Sequence, residues 1–366
     1  MKIFAYYLPQ FHCIPENDKW WGKGFTEWTN VKKAQALYKG HIQPKHPLDN
    51  RYYDLTDVNT MKWQANLMEK YNVDGLIFYH YYFTGKKLLE KPAEILLHNK
   101  EIKMPFFFCW ANHSWFRSWE GSKELLINQK YGGEKEWEKH FKYLLSFFKD
   151  DRYEKINNKP VLMVFKSNFS EKEKMFRYFD SRCKEEGFEG ICVIETFESY
   201  NKNKINKFIK EKSTVTEYIH LREPGAVTEA YYKNIINVYM RIVNKIKMII
   251  NNSRLNIKLI KKFNGNKFFK IMKKNQFKDK QIIRGLFFEW DNTPRHDKRG
   301  YVITPGRKKE VMEYLDSIRN DEYLFINAWN EWCEGMILEP TIENEYKYLE
   351  WIKEWKVRNE NRFNGI

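Results

Sequence analysis

Eight short apolar runs recur along the chain, and segments with helical spacing of apolar residues lie between them. The runs span 2–9, 73–83, 104–112, 159–166, 190–197, 213–219, 282–292 and 322–332. Runs such as "KPVLMVFK" are apolar without alternation, which is typical of parallel strands that are buried on both faces. Intervening segments such as "TMKWQANLMEKYN" and "EKEWEKHFKYLLSFFKD" have the apolar period of a helix. Eight such units in series predict an α/β fold, a (β/α)8 TIM barrel in one domain over residues 1–366.

Polar and aromatic residues stand at the ends of seven of the eight predicted strands. In chain order they are Tyr6, Tyr7, Tyr79, His80, Tyr81, Trp110, Asn112, His113, Glu195, Glu217, Glu289, Trp290, Asp291, Trp329, Asn330 and Glu331. In a (β/α)8 barrel the C-terminal strand ends form the active site, so we expect these side chains to meet there. Carboxylates that share such a cleft separate into acid and base roles because their environments shift their pKa values differently.

The stretch "NAWNEWCEGMILEP" at 327–340 follows the last apolar run and concentrates carboxylates, tryptophans and asparagines. It places Glu331 and Glu334 at the end of the eighth strand, where both carboxylates are expected to face the barrel mouth. Cleavage of a glycosidic bond uses one carboxyl group to protonate the leaving oxygen and another on the opposite side as base or nucleophile. Trp and Asn side chains supply a stacking surface and hydrogen bonds for a sugar. We therefore predict Glu331 and Glu334 as the catalytic pair.

Two further loops carry candidate substrate-binding residues. The loop "WWGKGFTEWTNV" after the first strand contains Trp20, Trp21, Glu27 and Trp28, and it predicts either a glycan-binding wall or local packing. After the third strand, "NHSWFRSW" offers Asn112, His113, Arg117 and Trp119, of which His113 is either a ligand donor or a structural histidine. An aromatic content of 17% suits stacking on sugars or nucleobases.

The basic charge of the chain is concentrated in one segment. Between 232 and 280, fourteen Lys and Arg face one acid, so this segment holds +13 of the net charge of +16. Its apolar residues recur at helical spacing, which predicts a basic helical insertion between strands 6 and 7. A solvated surface and docking to an anionic membrane or acidic glycan are both compatible with it. No nucleic-acid recognition motif accompanies the charge, so we expect no nucleic-acid partner.

Several classes of site and location are disfavoured by the sequence. The histidines His12, His80 and His113 have no shared helical face, and no glycine-rich phosphate loop is present, so neither a metal nor a cofactor is expected. Five scattered cysteines without C-x-x-C spacing indicate free thiols. The N-terminal apolar stretch breaks at Pro9 and no stretch of about 20 apolar residues occurs. The expected location is the cytoplasm, including peripheral association with the inner face of the membrane.

The sequence also resembles a known family. The segment N-E-W-C-E-G-M-I-L-E-P is similar to the N-E-W-H-E-G…E-P motif of glycoside hydrolase family 99, the endo-α-mannosidases. It is closer to the WbsX group of bacterial polysaccharide-locus proteins. The segments "YYLPQFHCIPENDKWWGKGFTEWTNV", "FYHYYFTGKKLLEKP", "FFFCWANHSWFRSW" and "FFEWDNTPRH" agree with that group as well. The resemblance covers the chain apart from the basic segment.

This resemblance implies a (β/α)8 barrel that acts on α-linked glycans with retention of configuration. It implies that Glu331 deprotonates the sugar 2-hydroxyl, giving an epoxide-like intermediate, while Glu334 serves first as acid and then as base. Cys333 stands where family 99 has a His, which leaves the substrate open. The alternatives are a glycosyltransferase of O-antigen or capsule polysaccharide biosynthesis, since WbsX proteins are called glycosyltransferases, and a non-catalytic glycan-binding protein.

Overall fold

The chain folds into a closed barrel of eight parallel strands, as the apolar pattern predicts. In the computed structural model the described residues are 1–117, 124–233, 235–252, 259–277 and 279–363. The barrel strands are Lys2–Tyr7, Gly75–Phe83, Phe106–Trp110, Lys159–Val164, Cys192–Phe197, Thr216–Leu221, Ile282–Leu286 and Tyr323–Ile326. Each pairs in parallel with its neighbours in the ring. The predicted (β/α)8 fold is therefore confirmed.

The first and eighth strands close the ring. Lys2 aligns with Tyr323 and Ala5 with Ile326, while the other edge of the first strand pairs with the second strand. Gly75 stands at this second seam, where a Cβ atom would lie 2.1 Å from the Phe4 ring. The seam thus requires glycine because no side chain fits between the two strands.

Helices cover the outside of the barrel, and all but the last of them lie between successive strands. They are Val58–Tyr71, Lys91–His98, Glu134–Phe148, Lys172–Glu185, Lys202–Glu211, Glu223–Lys233, Gly265–Lys274, Lys308–Ser317 and Lys347–Phe363. Shorter helices at Pro15–Trp21, Glu27–Lys33 and Thr293–His296 lie in the loops, together with 3-10 turns at Leu48–Asn50, Asp297–Arg299 and Trp332–Glu334. The buried apolar faces of the outer helices pack on the outward side chains of the strands. The short helices and 3-10 turns lie in the loops that follow the strands, at the C-terminal end of the barrel.

Aromatic side chains fill the barrel interior. The rings of Phe4, Phe107 and Phe325, from the first, third and eighth strands, lie with their centroids 5.2 to 6.3 Å apart. Nearer the C-terminal end, Tyr6 stacks on Tyr79 at 5.4 Å. Such packing fills the lower barrel, so among the described residues the interior is open toward the C-terminal end.

The basic segment between strands 6 and 7 is largely helical where it is described. The helix Ile235–Asn252 is followed by the strand Lys261–Phe263, which pairs with Tyr301–Ile303 in a small three-stranded sheet with Trp290–Asp291. The next helix, Gly265–Lys274, packs against Glu223–Lys233 and Lys308–Ser317 in the outer layer of the barrel. The C-terminal part of the predicted insertion 232–280 thus contributes to the barrel wall.

Within the described ranges, no helix combines the length and apolar content needed to cross a membrane.

Candidate active site

A cavity of about 670 Å³ opens at the C-terminal end of the barrel. Residues at the ends of all eight strands contribute to its wall, and its size is typical of a small-molecule site. Seven of the residues that the sequence predicts at the site line it, namely Trp21, Tyr79, Tyr81, His113, Trp290, Glu331 and Glu334. The two carboxylates assigned to catalysis therefore face the same space.

One arginine holds the acidic side of the cavity together. Arg295 Nη1 lies 2.5 Å from Glu334 Oε1, and Arg295 Nη2 lies 3.2 Å from Glu331 Oε2. The same Nη2 lies 3.3 Å from Oε1 of Glu27, which is fully buried beneath the cavity wall. A planar guanidinium has donors in a fixed fork, so it fixes the relative positions of the carboxylates it contacts.

The carboxyl group of Glu331 has a pKa close to neutral pH. Burial raises the pKa of Glu331 to about 8, and the carboxylates of Glu334 and Glu27 add to the rise while Arg295 opposes it. The pKa of Arg295 is lowered by burial but raised more strongly by the three carboxylates, so Arg295 stays charged. The cluster thus contains a carboxyl group that can gain or lose a proton close to neutral pH.

The local backbone explains how both carboxylates reach the cavity. After the eighth strand the chain forms a 3-10 turn at Trp332–Glu334, which ends at Gly335 in the left-handed region with φ of 65°. A Cβ atom on Gly335 would lie 3.0 Å from Asp291, so this turn favours glycine twice over. Cys333 is buried within it, and its thiol donates to the Glu27 carbonyl oxygen at 3.4 Å.

Four polar atoms on residues of the cavity wall have no hydrogen-bond partner among the residues that the structure describes. They are Asn17 Nδ2, His113 Nδ1, Trp290 Nε1 and Asn327 Oδ1, all buried. Buried polar groups are normally satisfied, so such atoms indicate a polar ligand with several donors and acceptors. Aromatic rings of Trp21, Trp290 and other residues complete the wall, which gives the mixed apolar and polar surface that suits a sugar ring.

The opposite side of the cavity carries a second arginine. Arg222 follows the sixth strand, pairs with Glu198, and lies over the Phe165 ring with its guanidinium carbon 3.9 Å from the centroid. Nearby His113 is neutral at pH 7 because burial, then the charges of Lys166 and Arg222, lower its pKa to about 4. His113 can therefore donate or accept a hydrogen bond at neutral pH.

Fifteen residues that the sequence predicts at the site do not line the cavity. They are Tyr6, Tyr7, Trp20, Glu27, Trp28, His80, Trp110, Asn112, Arg117, Glu195, Glu217, Glu289, Asp291, Trp329 and Asn330. Four of them, Tyr7, His80, Trp110 and Glu195, lie on the strands with their side chains toward the outer helices. Successive side chains of a strand point to opposite faces, so Tyr6 and Tyr79 face inward where Tyr7 and His80 face outward.

The outward residues have structural partners. Tyr7 donates to Gln64 Oε1 at 2.9 Å, and His80 Nε2 lies 2.9 Å from His140 Nε2. Glu195 accepts from Lys172 Nζ at 2.8 Å. In the same layer, the Trp110 indole donates to the Tyr82 carbonyl oxygen at 3.2 Å, and its ring contacts that of His140. These contacts join strands to the helices outside the barrel.

The position of Glu217 differs because the sixth strand is displaced from its predicted bounds. The strand spans Thr216–Leu221 and not 213–219, so Glu217 lies near its N-terminal end. There Glu217 Oε1 accepts from Lys159 Nζ at 2.6 Å. Arg222, directly after the true strand end, takes the place in the cavity wall that the sequence assigned to Glu217.

A buried carboxyl group organises the loop after the eighth strand. Glu339 accepts hydrogen bonds from the indoles of Trp329 and Trp332 at 3.0 and 2.9 Å, and from Tyr53 and Gln64, both at 2.7 Å. Asn330 joins the same group by donating to Tyr53 OH at 3.3 Å. Trp329 and Asn330 thus hold the backbone that carries Glu331.

Other predicted residues brace neighbouring loops. Asp291 accepts from Gln43 at 2.7 Å and contacts the His41 ring nitrogen at 2.8 Å, while both amide atoms of Asn112 bond the Lys166 backbone. Trp28 donates to the Tyr53 carbonyl oxygen at 2.7 Å, and Trp20 packs edge-on against Trp115. Trp119 lies outside the described residues.

The sequence reasoning missed several residues of the cavity. Arg295, Arg222, Trp115 and Tyr301 all line it. Arg295 lies in the quoted segment "FFEWDNTPRH", three positions beyond the apolar run, so counting only strand ends excluded it. Trp115 lies in "NHSWFRSW", where attention fell on the polar residues.

Neither a metal site nor a disulfide contributes to the described part of the molecule. In the described ranges, no three His, Cys, Asp or Glu residues are grouped to hold a metal ion. All five cysteines are free, four of them buried and Cys13 exposed.

Comparison with protein families and relatives gives one family match over nearly the whole chain. The model of the family described as Glycosyltransferase WbsX matches residues 3–352. An uncharacterized protein WxcX from Xanthomonas campestris pv. campestris (strain B100) is 29% identical over 366 residues, covering 95% of this chain and 48% of that protein. The chain thus spans about half the length of this curated relative.

Solved structures share the fold at low sequence identity. A protein described as glycoside hydrolase-like superposes with a TM-score of 0.59 at 12% identity, covering 97% of this chain and 93% of its own. The GH99 endo-α-mannosidase from Bacteroides thetaiotaomicron superposes with a TM-score of 0.57 at 11% identity, covering 99% and 98%. These likenesses show a common barrel architecture.

Proposed function

The chain belongs to the WbsX glycosyltransferase family, and from this membership and its cavity we propose that it is a carbohydrate-active enzyme. Its reaction is the cleavage or transfer of an α-linked glycosyl unit of a bacterial polysaccharide or oligosaccharide, with retention. The observation that carries the proposal is the placement of Glu331 and Glu334 on one guanidinium, Arg295, inside the cavity. Two carboxyl groups in one cleft are the usual catalytic pair of glycoside hydrolases.

In the proposed mechanism the two carboxyl groups have separate tasks. Glu331 takes the proton of the sugar 2-hydroxyl, whose oxygen then attacks C1, while Glu334 protonates the departing glycosidic oxygen. In the second step Glu334 takes a proton from water or an acceptor hydroxyl, which opens the three-membered ring at C1, and Glu331 returns its proton to the 2-oxygen. Two inversions at C1 give net retention. A base whose pKa is close to the working pH is most effective, and the raised pKa of Glu331 fits this task.

The surroundings of the carboxyl pair support a sugar as substrate. Trp290 and Trp21 provide aromatic faces, and Trp290 Nε1, His113 Nδ1 and Asn327 Oδ1 provide polar atoms for hydroxyl groups. Arg295 stabilises negative charge on whichever carboxylate is ionised. Hydrogen bonds to hydroxyl groups that strengthen during the reaction lower its barrier.

The family name favours transfer as the second candidate. A transferase and a hydrolase would use the same carboxyl pair and differ in whether an acceptor hydroxyl or water enters the second step. A screen of α-linked oligosaccharides, with and without nucleotide-sugar donors, separates the two by its products. An activity that appears only with a nucleotide sugar would overturn the retaining hydrolase mechanism and favour the transferase.

The role of each carboxyl group is tested with two variants. Glu334→Gln should lose most activity on an oligosaccharide yet retain activity on a 4-nitrophenyl α-glycoside, whose leaving group needs little protonation. Glu331→Gln should lose activity on both substrates. General-acid assistance is typically about 10² to 10⁴-fold, so the contrast is measurable.

The matched control is Glu217→Gln, which removes a carboxylate outside the cavity and should leave both activities near the wild-type level. If Glu331→Gln and Glu334→Gln respond alike to the two substrates, the assignment of separate tasks is wrong.

A further inference from the structure

The helix Ile235–Asn252 presents an uncovered apolar stripe to solvent. Tyr239, Ile242, Ile246 and Ile249 are 70%, 55%, 49% and 60% exposed. Their spacing of three, four and three residues places all four on one face of an α-helix. Large aliphatic side chains rarely gather in the open without a partner, so this stripe marks an interaction surface.

The opposite face of the helix attaches it to the protein. Asn244 is buried, and its amide donates to Tyr232 OH at 3.3 Å. Lys247 Nζ donates to the Ile260 carbonyl oxygen at 3.2 Å. At 100° per residue, Asn244 lies nearly opposite the centre of the stripe. The stripe therefore points away from the barrel and is accessible.

The positive charge around the stripe indicates which kind of partner can bind it. The segment 232–280 carries a net charge of +13, and Lys245, beside the stripe, is exposed. Two copies facing each other through this helix would bring like charges together, which opposes self-association. An anionic lipid surface offers both an apolar boundary for Ile and Tyr side chains and negative charge for Lys and Arg.

The helix lies at the same end of the barrel as the cavity. It packs against the 3-10 turn Asp297–Arg299, which directly follows the helix that carries Arg295. The strand Lys261–Phe263, just beyond it in the chain, pairs with Tyr301–Ile303, and Tyr301 lines the cavity. A surface that binds the stripe therefore lies beside the cavity mouth.

We propose that Tyr239, Ile242, Ile246 and Ile249, with Lys245 beside them, dock the protein on an anionic lipid bilayer. The helix lies in the plane of the interface with its apolar stripe in the acyl boundary. Where the proposed function also holds, the substrate class follows from this placement: a glycan that is attached to a lipid and presented at the bilayer surface. The docking itself does not depend on catalysis.

The test is co-sedimentation of the full chain with vesicles of phosphatidylglycerol and phosphatidylcholine, compared with phosphatidylcholine alone. The variant Ile242→Ser/Ile249→Ser should reduce binding to the anionic vesicles about fivefold or more, because both side chains contribute buried apolar area. The matched control is Ile342→Ser/Val357→Ser, which removes two aliphatic side chains of 58% and 41% exposure elsewhere on the surface. This control should bind like the wild type.

Raising the salt from 0.1 M to 1 M shortens the screening length from about 10 Å to about 3 Å and should remove most of the binding. Equal binding to the two kinds of vesicle, or equal binding by the stripe variant and the wild type, would overturn the proposal. Sedimentation velocity without lipid measures whether the protein forms a dimer through the stripe. A wild-type dimer that the stripe variant dissociates would assign the stripe to a second copy and also overturn it. None of these readouts measures glycan chemistry, so their failure leaves the proposed function standing.

Discussion

At the scale of single residues, the decisive feature is the sharing of Arg295 by three carboxyl groups. Glu27 lies beneath it, and Glu331 and Glu334 reach it from the cavity side. One positive charge cannot fully compensate three negative charges in a buried cluster, so one carboxyl group is held back from ionising. The rise in the pKa of Glu331 to about 8, caused first by burial, identifies it as that group.

The first prediction concerns the pH dependence of activity. If ionised Glu331 is the base, kcat/KM on the 4-nitrophenyl α-glycoside, whose leaving group needs little protonation from Glu334, should rise with pH and level off above about pH 8, because the free enzyme must lose the proton of Glu331. The measurement is kcat/KM between pH 5.5 and pH 9 on that glycoside, with circular dichroism as a control for folding at each pH. A profile that falls through pH 8 would assign Glu331 as the proton donor instead.

A second prediction follows from the same shift and concerns stability. Below about pH 4.5 the Glu331 carboxyl group is protonated in the folded and the unfolded chain, so it contributes no pH dependence. Between about pH 4.5 and pH 8 the unfolded chain ionises while the folded chain keeps the proton, so wild-type stability falls as pH rises.

The variant Glu331→Gln has no ionisable group at this position. Its melting temperature, expressed as the difference from the wild type, should therefore rise by several degrees between pH 4.5 and pH 8.5. Glu217→Gln, measured in parallel, controls for the general effect of replacing a glutamate outside the cavity. A difference between Glu331→Gln and wild type that stays constant over this range would contradict the burial argument.

At the scale of elements, the loop after the eighth strand is held by Glu339. This group collects two indole donors, one phenol and one amide, all buried. Its partners come from that loop, from the loop that precedes Val58–Tyr71 and from this helix. The carboxyl group thus fixes the loop that carries Glu331 and Glu334 against the outer layer of the barrel.

The third prediction is that Glu339→Gln impairs catalysis without direct contact with substrate. Gln offers fewer acceptor sites than a carboxylate, so some of the four donors lose their partner, at a cost of about 1 to 3 kcal/mol in the free energy of unfolding. kcat should fall more than KM rises, because the proposed catalytic pair, Glu331 and Glu334, is misplaced while the rest of the wall stays intact. Denaturant titration and steady-state kinetics measure the two effects.

Trp332→Phe removes one donor and keeps a ring, so it serves as the graded control and should cost less on both measures. An unchanged kcat in Glu339→Gln would show that the loop is positioned by other contacts.

The difference between sequence and structure is also clearest at the scale of elements. Eight strands and their order were predictable because apolar runs and helical periods alternate along the chain. Which residues of a strand face the barrel interior was not predictable. Strands buried on both faces lack the alternation of polar and apolar residues that would distinguish Tyr6 from Tyr7. Glu217 shows a second cause: a displacement of three residues at the start of a strand moved its predicted end away from Arg222.

Longer-range partners could not be predicted from local patterns either. Arg295 reaches Glu27 and Glu331 across sequence separations that no spacing rule connects. The carboxyl pair itself was accessible to sequence reasoning because both members lie in one motif after one strand.

At the scale of the whole molecule, the carboxyl cluster and the basic segment are separate but adjacent parts of the structure. The carboxyl cluster lies within the barrel mouth, while the segment 232–280 supplies +13 of the net charge of +16 outside it. The helix Ile235–Asn252 joins the two through its contact with Asp297–Arg299. Under the two proposals, this separation lets the protein bind an anionic surface while its carboxyl cluster keeps the same arrangement.

The last prediction tests this separation and rests on both proposals. The variant Ile242→Ser/Ile249→Ser should keep kcat/KM on a soluble oligosaccharide within about twofold of the wild type, because neither side chain lines the cavity or packs in the core. On the same glycan attached to a lipid in phosphatidylglycerol vesicles, its rate should fall about fivefold or more, because less enzyme resides at the surface where the substrate is held. Ile342→Ser/Val357→Ser should match the wild type in both assays. Equal losses on the soluble and the vesicle-bound substrate would mean that the stripe supports the fold of the cavity, and the adjacency would then have no role in substrate capture.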